Sequence, residues 1–166
     1  TGIGCGNGVS EMHKTDRKRF AFLASNSELA QSARNTFVHR LGDCDVSEAD
    51  VIVALGGDGF MLQTLHTAQH LNVPVYGMNR GTVGFLMNEF SLDYLSERLA
   101  AAKEASINPL RMRATCTDGS HHTELAINEV SLLRQGPQAA KLKVFVDDRL
   151  RLSELVCDGA LVATPA

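Results

Sequence analysis

Apolar positions follow two rhythms along this chain, and they change over near Ala105. Before that point, short apolar runs alternate with segments whose apolar residues recur every three or four positions. After Ile107 a period of two takes over. The first rhythm predicts strands alternating with helices, and the second predicts half-buried antiparallel strands joined by tight turns.

Arg19 to Ala24 reads as a buried first strand, and Ser25-Asn26-Ser27-Glu28 supplies capping residues for a helix running to about Arg40. Leu29, Ala33, Phe37 and Leu41 form its predicted apolar stripe. A second strand follows over Val51 to Leu55. It breaks into Gly56-Gly57-Asp58-Gly59, and a helix carries Met61, Leu62, Leu65, Ala68 and Leu71 until Asn72-Val73-Pro74 stops it. Val75 to Met78 makes a third strand, and Asn79 to Leu86 a second glycine-containing loop. Ser91 to Tyr94 then opens a helix reaching about Lys103, with Leu92, Leu95 and Leu99 inward. Strands alternating with helices imply a parallel sheet in an α/β layer, where ligands sit beyond the carboxyl ends of strands. Both glycine loops fall at such ends.

The later runs are Arg111 to Cys116, Thr123 to Leu133, Lys141 to Val146 and Arg149 to Thr164. Turn signals at Asp118-Gly119, Gln135-Gly136-Pro137 and Asp147-Asp148 separate them. They predict a second, antiparallel β domain, left incomplete at Ala166 because no closing strands follow. Residues 1–18 read as a flexible leader. Gly2, Gly4, Gly6 and Gly8 resemble a dinucleotide loop in spacing but lack the preceding strand, and Met12 is a candidate natural start.

The glycine loop carries the chemistry. Glycines there let the backbone turn sharply and approach a ligand, while the first N–H groups of a helix favour negative charge. Gly56, Gly57 and Gly59 thus form a candidate phosphate cradle with Asp58 inside it. For that carboxylate three roles are open: general base, magnesium partner, or simple helix cap.

Composition narrows the class. A net charge of -3 with scattered basic residues gives no nucleic-acid surface. Cys5, Cys44, Cys116 and Cys157 lie far apart, as suits reduced thiols in the cytoplasm. No apolar run spans a bilayer, and no signal-peptide pattern is present, so no membrane partner is expected.

Other chemical candidates fall away. His66 and His70 stand four apart but have no carboxylate between them, so no metal site is assigned. His121-His122 sits beside a hairpin turn, and Glu124 and Glu154 have no evident acidic partner for a two-carboxylate site. No nucleophile elbow occurs, and the cysteines lack a base. Asn128-Glu129 is different, because two adjacent polar residues interrupt the apolar run Leu125 to Leu133. Either one faces inward, or the strand is distorted, or the pair lies at an exposed edge. Asp158-Gly159 interrupts its run in the same way, as a bulge or turn would.

Taken together, these segments resemble the NAD kinase family. Gly56-Gly57-Asp58-Gly59 after an apolar strand is similar to its signature loop, Asn128-Glu129 to its second motif, and Asp158-Gly159 leading to Thr164-Pro165-Ala166 to the start of its third. Ala54 to Leu62 and Asn79 to Leu86 are similar to proteobacterial members. The family's third motif continues through Gly-Ser-Thr-Ala-Tyr, where this chain ends. The resemblance implies an α/β fold: a Rossmann-like parallel α/β domain over 19–104, followed by the first strands of an incomplete all-β sandwich over 105–166.

It also implies transfer of the terminal phosphoryl group of ATP or polyphosphate to the 2′-hydroxyl of the adenosine ribose of NAD, giving NADP. Asp58 would be the proton acceptor. NAD contacts would come from Asp58, Gly59, Asn128, Glu129, Asp158 and Ala166, and phosphate contacts from Gly56, Gly57 and Gly59. We add Arg80 as a further phosphate contact. Mg2+ or another divalent cation would arrive on the nucleotide, and the partners would be NAD and the phosphoryl donor within a homodimer or homotetramer. Two other readings stand beside it. A diacylglycerol or sphingosine type of lipid kinase shares only the glycine loop, and a non-catalytic nucleotide-binding fragment would fit the incomplete β domain.

Overall fold

A computed structural model describes residues 18–81 and 84–164. The leader as far as residue 17 and the third motif's Ala166 lie outside the described residues. The chain forms two compact units, the second made of Leu65–Thr67 and the chain from Ala102 onward.

In the first unit, β1 (Phe20–Ala24), β2 (Val51–Gly56) and β3 (Val75–Asn79) make a parallel sheet in the order β1-β2-β3. Phe20 pairs with Val51, and Ile52 with Val75. Every residue of β2 is buried, as expected of a central parallel strand. Helix α1 (Glu28–Leu41) starts at Ser27, whose hydroxyl accepts from the Ala30 N–H. It ends at Gly42, which adopts φ 83°. Phe37 of α1 stacks on Phe22 with ring centroids 5.2 Å apart, and both are fully buried. Removing each such side chain from water contributes about 2 kcal/mol.

The buried stripe of α1 is Ala30, Ala33 and Phe37, while Leu29 is 61% exposed. A strict spacing of four overruns the 3.6-residue turn, so Leu29 rotates off the face that the i, i+3, i+7 row keeps.

Helix α2 (Asp58–Ala68) buries Met61, Thr64 and Ala68. It ends before His70, so His66 and His70 do not share a helical face. Helix α3 (Leu95–Ala101) begins later than its apolar pattern suggests, because Tyr94 takes φ 59°, a left-handed conformation outside the helix. Leu95 is nonetheless buried, with Leu92 and Leu99 packed against the same core.

Among the described residues β1 is an edge strand, and side chains cover its outer side. The Phe22 N–H donates to Asp43 Oδ1 at 3.0 Å, and Arg34 Nε donates to the Phe22 carbonyl at 2.7 Å. Arg34 and Asp43 then pair with each other at 2.5 Å. This clip satisfies the strand's outward groups and blocks edge pairing.

The second unit consists of antiparallel ribbons. β4 (Leu110–Thr115) pairs with β5 (His121–Ala126), β7 (Ala140–Val146) with β8 (Arg149–Cys157), and β6 (Glu129–Leu133) with β9 (Gly159–Ala163). Asp147 and Asp148, at φ 50° and 59°, join β7 to β8 as a primed hairpin turn. Among the described residues, none after Leu95 is fully buried, and Leu132, Leu133, Phe145, Leu161 and Val162 are largely exposed.

Candidate functional site

Three chain segments meet at the carboxyl edge of the parallel sheet. The Ser25 N–H donates to the Leu55 carbonyl at 2.9 Å, and the Arg80 N–H to the Gly56 carbonyl at 2.7 Å. The ends of β1 and β3 are thus tied to the end of β2, where the glycine loop begins.

Gly57 is the N-cap of α2 and supplies no side-chain cap, so Asp58 occupies the first helical position. The Asp58 carboxylate does not cap the helix. It reaches across to the second loop, where Oδ2 accepts the Phe85 N–H at 2.8 Å and Oδ1 accepts the Leu86 N–H at 3.0 Å. Of the three roles open in the sequence, the cap is therefore set aside. A side chain built on Gly57 or Gly59 would meet nothing within 4 Å. Packing does not demand glycine at either position, and both leave open space at the helix N-terminus, whose first N–H groups lack intrahelical partners. Gly56 differs, because a Cβ there would run into Phe60 at 2.8 Å.

Arg80 stands in the second loop. Its guanidinium lies over the Phe90 ring, and its Nε donates to the Leu29 carbonyl of α1. That loop also joins the sheet through Asn88, whose N–H donates to the Gly77 carbonyl at 2.9 Å and whose carbonyl accepts the Asn79 N–H at 2.8 Å.

In the second unit, the apolar run Leu125 to Leu133 is broken at Ile127-Asn128 into β5 and β6. Of the outcomes open for Asn128-Glu129, local distortion is realised, and both residues are exposed. The Asn128 carbonyl accepts the Thr164 N–H at 2.9 Å. Asp158 is the corner at which the chain leaves the β7-β8 ribbon to pair with β6, and Arg134 Nε grips its carboxylate at 2.6 Å. The register Glu129↔Ala163 and Leu133↔Gly159 puts Asn128-Glu129 and Asp158 at opposite ends of one ribbon.

Gly84, Phe85 and Leu86 were not singled out from the sequence as partners of Asp58. The available signal was the glycine in the second loop, since a side chain there would sit against Asp58.

Fold and loop together define an α/β protein with a glycine loop and a helix N-terminus at the carboxyl edge of a parallel sheet. The family model of the ATP-NAD kinase N-terminal domain matches residues 9–105, and the chain belongs to the NAD kinase family. It is 62% identical over 149 residues to an NAD kinase of Cereibacter sphaeroides strain ATCC 17023, covering 90% of this chain and 59% of that protein. It is 57% identical to an NAD kinase of Caulobacter vibrioides, covering 89% and 57%. For an NAD kinase of Xylella fastidiosa the identity is 52%, covering 94% and 60%. The chain therefore spans under two thirds of the length of these curated relatives. Yeast NADH kinase, solved in complex with NADH, superposes with a TM-score of 0.67 at 17% identity, covering 88% of this chain and 57% of that one. That likeness is one of fold.

Proposed function

We propose that the protein to which this chain belongs is an NAD kinase, phosphorylating the 2′-hydroxyl of the adenosine ribose of NAD with ATP or polyphosphate. The observation that carries this reading is the placement of Asp58 at the mouth of the glycine loop in a chain of the NAD kinase family. The lipid-kinase alternative shares only that loop.

Gly57 and Gly59 would admit phosphate to the N–H groups of α2, and Gly56 would set the turn. Arg80, anchored between Phe90 and Leu29, would bring positive charge to the same phosphates. Asp58 would accept the proton of the attacking hydroxyl as its oxygen bonds to the terminal phosphorus and the bond to the departing phosphate oxygen breaks. With one N–H at each oxygen, the carboxylate keeps acceptor capacity for that proton. Gly59, Asn128, Glu129, Asp158 and Ala166 would contact NAD, Glu129 by accepting from ribose hydroxyls.

Among the described residues, no cluster of three or more His, Cys, Asp or Glu side chains could hold a metal ion. We take Mg2+ to arrive on the nucleotide, an arrangement that needs no dedicated protein cage. Bound there, the cation would neutralise charge on the phosphates. No helix among the described residues is long and apolar enough to cross a membrane. We place the enzyme in the cytoplasm as a homodimer or homotetramer.

The test is to express the protein from its whole coding sequence and incubate it with NAD, ATP and MgCl2, measuring NADP. We expect turnover, with Asp58→Asn lowering it about 100-fold or more. No NADP from the wild type, or unchanged turnover in Asp58→Asn, overturns the reading.

A further inference from the structure

Asp58 is held by main chain rather than by a side chain. Its two oxygens accept the consecutive N–H groups of Phe85 and Leu86 at 2.8 and 3.0 Å, so the carboxylate is fixed at both ends. Charge-assisted bonds of this kind are among the stronger ones available to a partly exposed group. They reach across 27 and 28 residues of chain.

Gly84 makes the approach possible. A Cβ built there would lie 2.3 Å from Asp58 Oδ1 and 2.6 Å from its Cγ, well inside contact distance. Asp58 could move aside only by giving up its two hydrogen bonds. Its short side chain starts from the first residue of α2, whose backbone is fixed by the Met61 N–H bond to the Gly57 carbonyl at 3.0 Å. Gly84 is not at a positive φ, so no backbone conformation calls for glycine there.

We propose that Gly84 is a positioning residue for the phosphoryl-transfer site, its missing side chain letting the Phe85 and Leu86 amides aim the Asp58 carboxylate. The inference rests on the kinase reading for its catalytic meaning and on the coordinates for the contact itself. A carboxylate base must be aimed as well as present, and a displacement of about 1 Å at such a group can cost about 100-fold in rate.

The experiment combines two readouts on the protein expressed from its whole coding sequence. Amide hydrogen exchange at Phe85 and Leu86 reports the contact. Exchange should be slow in the wild type and at least tenfold faster in both Gly84→Ala and Asp58→Ala. Steady-state kinetics report the consequence, and Gly84→Ala should lower kcat at least tenfold with the KM for NAD changed less than threefold. Wild-type exchange in Gly84→Ala overturns the proposal, and so does a wild-type kcat. A loss of activity carried by KM alone overturns it too, since that would be a binding defect. If Gly84→Ala melts well below the wild type, Leu86→Pro takes its place. It replaces one of the two donors with a ring Cδ aimed at Asp58 Oδ1, so it breaks the same contact with residue 84 left as glycine, and the same fall in kcat is expected. A wild type that makes no NADP while both amides are protected would overturn the kinase reading and leave the contact standing.

Discussion

The guanidinium carbon of Arg80 lies 3.9 Å from the centre of the Phe90 ring, and Phe90 in turn packs edge-on against Phe37 in the core. The Arg80 guanidinium is therefore braced from behind by the hydrophobic interior.

Replacing Arg80 should cost stability as well as charge. Arg80→Ala is expected to lose about 1 kcal/mol, and Arg80→Lys should recover little of it. An ammonium offers neither the plane that stacks on Phe90 nor the Nε donor that reaches Leu29. Urea midpoints of the two variants check this, and full recovery by lysine would refute it.

The clip on β1 predicts a stability defect far from the site. Asp43→Ala leaves the Phe22 N–H without its partner and Arg34 with only the Phe22 carbonyl, at an expected cost of about 1 to 3 kcal/mol. Combined with Arg34→Ala, the loss should be clearly less than additive, because both changes remove the same contact. Additive losses in urea unfolding would show that the two side chains act separately.

Gly159 follows the Asp158 corner and approaches β6 so closely that a Cβ would lie 2.3 Å from the Leu132 carbonyl oxygen. A carbonyl on a paired strand cannot swing away as a side-chain end can. Gly159→Ala should therefore destabilise by about 1 to 3 kcal/mol, whereas Gly136→Ala, with nothing near its would-be Cβ, should be close to neutral. Thermal unfolding of the two variants discriminates.

Asp50 gives a dependence on pH. The Arg19 backbone N–H, reinforced by the Arg19 guanidinium, holds its carboxyl below the ordinary value of 3.8. A lowered native value means the ionised form favours folding, so the contribution is complete above the unfolded value and is lost as pH falls through the native one. The melting temperature of Asp50→Asn should lie below the wild type at neutral pH and converge with it in acid. A gap that widens in acid would contradict this assignment.

The parallel sheet was legible because β2 is apolar from Val51 to Leu55 and its flanking helices carry their own period. Three features were not. Leu29 lies one position off the buried stripe of α1, which a spacing of four cannot reveal. Tyr94 delays α3 by adopting a backbone conformation with no local sequence signal. The run Leu125 to Leu133 reads as one strand although the chain bends at Ile127-Asn128 to change ribbons, a choice made by pairing with distant partners. At the site, Asp58 announced itself through the glycines around it. Its partners did not, since backbone N–H groups are the same in every residue, and only the empty space at Gly84 records that something must come close.

The ribbon formed by β6 and β9 also acts as a ruler. Glu129 faces Ala163 and Leu133 faces Gly159, and Asp158 lies one residue beyond Gly159, so Glu129 and the Asp158 corner are separated by five residues, about 17 Å of extended chain. No single sugar or base reaches from one to the other. Within one chain, a ligand touching both ends would have to be long enough to lie along the ribbon, and one seated at either end alone would meet only one of the two segments.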